Sequence, residues 1–343
     1  MMKNIVFRFF LSTLAVSMLL SFKSSDSSNF EWKTSEPSAA GLNTQKIQKF
    51  VSSLKNTEVT SCIIVKDGVI ASEYYKTGYD SKSVFHMHSV SKSITSAVCG
   101  IAIQKGYFNL EDPVTKFFPE LKEKNDKRYD KITVRELLRN TSGLVSTDSG
   151  YWGEWHQSKD WIKFLFDKPI QHEPGKVFEY STGNTHILSA IIQKTTKKTL
   201  NDFAKKVLFE PLGLKSAKFE SDPQGISDGG NGALLTARDM AKFGLLYLNN
   251  GIWEGKEIIP LEWVNESTKI QTPNMARYGY QWWIRWFGKK QLRGFFAHGW
   301  GEQVIAVIPD ANLIITFSSN YPNNNKNAMY WNWIGDIVDA VEK

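Results

Sequence analysis

Residues 84–102 decide the reading: Val84-Phe85-His86-Met87-His88-Ser89-Val90-Ser91-Lys92-Ser93-Ile94-Thr95-Ser96-Ala97-Val98-Cys99-Gly100-Ile101-Ala102. The first five residues read as a short extended segment. Beyond them Ile94, Ala97, Val98, Ile101 and Ala102 recur at spacings of three and four, which puts one apolar helical stripe into a core. Gly106 supplies a stop. Ser89 then falls at the first turn of a helix and Lys92 one turn later, on the same face. Free N–H groups and the helix dipole at that turn favour negative charge, which suits a forming alkoxide. A lysine stripped of water there gives up its proton near neutral pH and acts as a base. The pair reads as nucleophile and activator.

The same spacing occurs at Ser52 and Lys55, at the end of a predicted helix over residues 43–54. No extended segment precedes it, and polar Asn56 and Thr57 follow, so it reads as surface. Cys62 to Val65, Lys66-Asp67-Gly68 and Val69 to Tyr75 predict a hairpin, because Asp-Gly between two apolar runs is a strong turn signal. Residues 112–200 read as mostly helical, with further helices from Thr185 to Lys194, Asp202 to Phe209 and Thr236 to Leu248. Strands return at Gln281 to Trp286, Phe295 to Ala297, Gln303 to Ile308 and Leu313 to Ser318, and a last amphipathic helix spans Trp331 to Val341. Strands at both ends of a helical middle predict an α+β fold, an antiparallel sheet flanked by helices. The sheet part is expected over about 40–110 and 275–343, and the helical insertion over about 111–274.

The chain has 343 residues, 41% hydrophobic and 22% charged, with a net charge of +7. Lys and Arg are spread along it beside Asp and Glu, a solvated surface rather than a nucleic-acid stripe. Lys3 and Arg8 precede an apolar run of 14 residues from Phe9 to Phe22, followed by a small polar exit over residues 24–29. That run is short for a spanning helix and right for a signal-peptide core. Residues 1–28 are therefore expected to be a leader, and the protein to be periplasmic or secreted, with membrane attachment only if residues 9–22 stay uncleaved. The two cysteines, Cys62 and Cys99, lie in apolar segments and read as buried thiols.

Two further stretches carry chemistry. Tyr180-Ser181 follows the turn Pro174-Gly175 and an extended stretch, and precedes a helix; a tyrosine at such an edge can shuttle a proton. Phe296-Ala297-His298-Gly299-Trp300-Gly301 precedes a strand, and its glycines let a backbone N–H approach a substrate as an oxyanion donor. In this order the three pieces resemble the serine β-lactamase and penicillin-binding superfamily over roughly residues 40–320. Residues 132–144 and 232–241 are similar to its connecting segments. The resemblance implies that Ser89 attacks a carbonyl, that Lys92 and Tyr180 move the proton, and that the Ser89 and Trp300 N–H groups hold the oxyanion. It implies no metal and no cofactor, and an ester, amide or peptide substrate.

Two departures stand out. Thr182 holds the third place of the second motif, where the family usually has Asn, and Asn184 lies two further on. Ala297-His298-Gly299 lacks the cation of the third motif, which sets the expectation against strong β-lactam hydrolysis. Residues 180–184, 278–283 and 301–303 look more like the esterase and 6-aminohexanoate-dimer hydrolase branch, with an aromatic-walled cleft expected from Tyr151, Trp282 and Trp283. His298, Gly299, Asn184 and Trp282 are the expected substrate-side residues. Alternatives are a D,D-peptidase or weak β-lactamase, and a non-catalytic sensor with the same fold. Gly225-Ile226-Ser227-Asp228-Gly229 fits another hydrolase motif but lacks the buried strand and helix that it requires. His86 and His88 with His298 would make an incomplete metal site.

Overall fold

In the computed structural model, which describes residues 28, 30–272, 276–320 and 329–342, the Asp-Gly turn forms as the sequence predicts. Asp67 and Gly68 both take positive φ, the two-residue geometry that matches the twist of flanking strands. Helix α1 (Thr44–Leu54) begins where the Asn43 side chain accepts the Lys46 N–H at 3.0 Å. Strands β1 (Val59–Lys66), β2 (Val69–Tyr75) and β3 (Val84–His86) follow, then α2 (Val90–Gln104) and α3 (Thr182–Thr196). Next come β4 (Lys218–Phe219), β5 (Ala233–Thr236) and α4 (Ala237–Leu248). Strands β6 (Trp283–Phe287), β7 (Leu292–Gly299), β8 (Gln303–Ile308) and β9 (Leu313–Ser319) then lead to α5 (Met329–Val338).

Six of these strands form one antiparallel sheet in the order β2-β1-β9-β8-β7-β6. Side chains alternate between its faces. Cys62, Ile64, Val304, Ala306 and Ile315 pack with Ile47 and Leu54 of α1 and Ile334 and Ile337 of α5. Ile63, Val65, Ile305, Val307 and Ile314 meet Ile94 and Val98 of α2 and Met240 and Phe243 of α4 on the other face, in a core that continues into the helical region. Both cysteines are free and buried, one in each core, with their thiol pKa values pushed up by burial.

Three features differ from the sequence reading. The mostly helical middle also carries two short strands that the sequence reading did not include, β4 and β5, which join β3 in a small sheet of order β3-β5-β4. Strands of two and four residues are too short to display a period-two pattern. The last helix ends at Val338 rather than Val341, because Val341 forms a bridge with Leu42 and the Ala340 carbonyl accepts the Asn43 N–H at 2.8 Å. The sheet strand begins at Trp283 and not at Gln281, whose φ of 66° turns it inward. The expected leader lies outside the described residues except for Ser28, whose hydroxyl accepts the Trp253 indole N–H at 3.2 Å. Among the described residues no helix is long and apolar enough to cross a membrane.

Helix α4 is fixed at its start by a reciprocal cap: the Thr236 hydroxyl accepts the Asp239 N–H, and the Asp239 carboxylate accepts the Thr236 N–H. Thr236→Ala removes one half of that cap and is expected to cost about 1 kcal/mol. Urea unfolding checks this as a lowered midpoint with an unchanged slope.

Candidate active site

Helix α2 is buried from Val90 to Ala102 although half its first turns are polar. Three of those polar side chains, Ser91, Ser93 and Thr95, fasten the helix to distant segments. The Ala233 N–H donates to Ser91 Oγ (2.9 Å), Ser93 Oγ donates to the Gln281 carbonyl (2.6 Å), and Thr95 Oγ1 donates to the Gly229 carbonyl (2.8 Å). Ser89 stands at the N-cap position without a side-chain cap bond and stays partly open to solvent. His88 before it takes the left-handed conformation, φ 47°, a strained link that turns the chain from β3 into α2.

Lys92 is fully buried. An ammonium carries three donors, and here each meets an acceptor at 2.8 Å: Ser89 Oγ, Thr182 Oγ1 and the Gly230 carbonyl. The Tyr180 ring lies beside it, its centroid 4.9 Å from Nζ. Burial lowers the Lys92 pKa from 10.5 to about 8, and the Asp148 and Asp228 carboxylates work against that fall. Burial raises the Tyr180 pKa and Asp148 raises it further, while the Ser89 hydroxyl pulls the other way. At neutral pH the phenol therefore keeps its proton, and the amine is the group poised to change state.

The third segment arrives through a glycine. A Cβ on Gly299 would lie 2.3 Å from the Met87 carbonyl oxygen and 3.1 Å from the Ser89 nitrogen, so β7 passes the Ser89 N–H at a distance only glycine permits. Among the described residues neither the Ser89 N–H nor the Trp300 N–H pairs with a backbone carbonyl. In front of them lies a cavity of about 430 Å³ lined by His88, Ser89, Asp148, Trp152, Asn231 and Trp300. Trp152 and Trp300 are 38% and 46% exposed and form its apolar rim. Burial, with His86 nearby, lowers the His88 pKa to about 4, so its imidazole lines the cleft uncharged.

The structure thus brings Ser89, Lys92, Tyr180, Gly299 and Trp300 together. It places the other expected substrate-side residues elsewhere. Trp282 is wholly buried, stacked on Phe243 at 5.9 Å and against Tyr247 at 4.7 Å, because the inward turn at Gln281 delivers it to the core. Asn184 is also buried, accepting from Ser142 Oγ (2.8 Å) and donating to Asn140 Oδ1 (2.9 Å). Two residues beyond Thr182 on the helix, it has turned away from Lys92. His298 alternates to the opposite face of the sheet from Ala297, where its ring stacks on Tyr330 at 4.6 Å and Nε2 lies 3.6 Å from Glu302. The His86 and His88 rings lie 4.2 Å apart, with His86 facing Glu220 at 3.1 Å, while His298 packs on Tyr330, so the three histidines do not meet at one point. Of the expected wall aromatics, Tyr151 packs on Phe164 and Trp283 stacks behind Tyr180 at 5.6 Å.

Ser227 of the rival motif is buried, its hydroxyl accepting the Asn201 N–H at 3.1 Å. Its loop serves the site in another way. Asp222 accepts from buried His186 (3.0 Å) and from the Gln224 and Ile226 N–H groups, and the loop goes on to offer the Gly230 carbonyl to Lys92. Asp148, Trp152, Gly230 and Asn231 escaped the sequence reading because each reaches the site through tertiary contacts that no local spacing announces.

The family model described as Beta-lactamase matches residues 44–339. The 6-aminohexanoate-dimer hydrolase of Paenarthrobacter ureafaciens is 23% identical over 316 residues, covering 84% of this chain and 79% of that protein. Protein flp of Staphylococcus aureus strain MW2 is 29% identical over 174 residues, which is 47% of this chain and 34% of that protein, so the match spans about a third of its length. Among solved structures, a Bacillus anthracis protein named as a candidate 6-aminohexanoate-dimer hydrolase superposes with a TM-score of 0.75 at 23% identity. That likeness covers 92% of this chain and 88% of the other.

Gly299→Ala is expected to push β7 away from Ser89. Misplacement on that scale costs about 10²-fold in rate, and the check is the rate at which a fluorophosphonate labels Ser89, measured beside the melting temperature.

Proposed function

The chain belongs to the beta-lactamase family, and from that premise we propose that it is a serine hydrolase cleaving small ester or amide bonds through an acyl-enzyme on Ser89. The observation that carries this reading is the contact between the Lys92 ammonium and Ser89 Oγ at 2.8 Å, in a lysine whose burial brings its pKa to about 8. Once Lys92 is neutral, the Ser89 O–H bond breaks toward Nζ and an Oγ–carbon bond forms to the substrate carbonyl. The carbonyl oxygen takes the negative charge and meets the Ser89 and Trp300 N–H groups. The tetrahedral centre collapses as the bond to the leaving group breaks. The Tyr180 phenol passes its proton to that group and regains one from Lys92. Water enters by the same steps in reverse order and releases the acid, returning Ser89 and Lys92 to their first state.

The nature of the cleft supports esters and linear amides over cell-wall peptides and β-lactams. Ala297 is buried and apolar where a carboxylate-bearing substrate would want a cation, and two exposed tryptophans offer apolar contact instead. A relative named for hydrolysing 6-aminohexanoate dimer makes linear amides part of the reading. Residues 9–22 make export part of it as well.

Purified protein is expected to take up a fluorophosphonate at Ser89, to label weakly with penicillin and to hydrolyse short p-nitrophenyl esters. Ser89→Ala should lose at least about 10³-fold in ester hydrolysis, on the scale seen when a nucleophile is removed. The sign of the pH dependence follows from Lys92. Below its pKa the amine is charged and cannot accept a proton, so kcat/KM should rise with pH to a plateau, with a midpoint near 8. Equal labelling of wild type and Ser89→Ala would place the nucleophile elsewhere.

A further inference from the structure

The residue at the third place of the second motif, Thr182, does something that an amide there would not. Its hydroxyl has one proton, and that proton is directed at Asp148 Oδ1, 3.0 Å away. A carboxylate accepts and never donates, so the direction of this bond is fixed. The other side of the same oxygen is a lone pair, and it receives the Lys92 ammonium at 2.8 Å. Asp148 is held in turn by the Thr182 N–H at 2.6 Å and by Thr147 Oγ1 at 3.0 Å, both on Oδ2. The Gly230 carbonyl, also an acceptor only, takes a second Lys92 proton.

We infer that Asp148 is a positioning residue for the proton transfer: by orienting the Thr182 hydroxyl it leaves Ser89 as the one of the three hydrogen-bond partners of Lys92 Nζ that can give a proton to the neutral amine. When the ammonium loses one of its three protons, the remaining two stay committed to Thr182 and Gly230. The lone pair then faces Ser89, whose O–H turns toward it. Without that constraint the Thr182 hydroxyl could rotate and donate to the amine itself, a dead end for catalysis. This inference rests on the acyl-enzyme reading and adds the relay that makes Lys92 a base toward one partner.

Asp148→Asn changes the relay at one atom. The amide oxygen keeps the bond from the Thr182 N–H, because an amide nitrogen there would set donor against donor. The amide NH2 then faces Thr182 Oγ1, and the hydroxyl is driven to donate to Lys92. The substitution also removes a negative charge. The charged and titratable groups facing Lys92 are Asp148 from the segment after Ser146, Asp228 from the loop carrying Gly230, Tyr180 before α3, and His88 before α2. Of these, the two carboxylates hold the proton on the amine. Losing Asp148 therefore moves the midpoint of the pH profile to lower pH while the plateau falls.

The test is the second-order rate of fluorophosphonate labelling of Ser89 from pH 6 to 10. It is run on the full-length protein, on Asp148→Asn, Thr182→Val and Thr182→Ser, and with Ser89→Ala as the baseline. The expected result is a plateau lowered about 10²-fold in Asp148→Asn and Thr182→Val, within the range that one positioned proton transfer contributes. The Asp148→Asn midpoint should fall, and Thr182→Ser, which keeps the hydroxyl, should stay within about threefold of wild type. A slow Asp148→Asn with an unmoved midpoint would reduce Asp148 to a structural support and overturn the relay. So would a Thr182→Val that labels at the wild-type rate, or a Thr182→Ser as slow as Thr182→Val. A wild-type protein that labels no faster than Ser89→Ala would instead sink the hydrolase reading itself, and the relay with it.

Discussion

A lysine without water is the constraint around which the molecule is arranged. Lys92 sits in the interior, where an uncompensated charge would cost several kcal/mol. It is tolerated because three acceptors from three separate stretches close around it at 2.8 Å. Those stretches are the helix start at Ser89, the helix start at Thr182 and the loop at Gly230. Each can reach the amine only if the packing behind it is correct. The same packing buries the amine and lowers its pKa, so the forces that fold the helical region also prepare the base of the proposed mechanism. The cost of burial and the readiness to lose a proton are one effect seen from two sides.

The supports of this site are mostly polar groups buried in pairs. Ser91, Ser93 and Thr95 would be poor choices in a core helix unless each met a partner, and each does, in β5, in the turn at Gln281 and in the Gly229 loop. Gln281 shows the economy of the arrangement. Its backbone carbonyl holds Ser93, its side-chain oxygen accepts from Thr185, and its side-chain nitrogen donates to the Leu138 carbonyl. One buried residue, through its backbone carbonyl and its side chain, thereby ties α2, α3 and the segment before residue 140 together. The His186–Asp222 pair plays a like part beneath the loop that presents Gly230.

The periodic parts of the chain were legible from the start. The helix over 43–54, the Asp-Gly hairpin, the helix after Ser89 and the strands at Gln303 and Leu313 all rest on repeated apolar spacing, a local signal. Ser89, Lys92 and Tyr180 stood out because the first two are one turn apart and the third follows a turn into a helix. Trp282 and Asn184 misled for a physical reason. An aromatic pair reads the same whether it lines a cleft or fills a core, and Trp282 and Trp283 do one each of core packing and backing for Tyr180. A motif offset of two residues on a helix rotates a side chain by more than half a turn, which carries Asn184 away from the amine that Thr182 meets. Asp148, Trp152 and Asn231 had no local signal at all. Their significance comes from positions that only the folded chain brings together.

The account stands or falls on the ionisation of one amine. Protein labelled with 13C at the lysine ε-carbon, titrated from pH 6 to 11 with Lys92→Met to assign the signal, reads that ionisation without reference to any substrate. The structure calls for a midpoint near 8, well below the ordinary 10.5, in a resonance separate from the surface lysines. A Lys92 signal that titrates with the others near 10.5 would contradict it, since the amine would then be charged throughout the working range and unable to take the proton from Ser89.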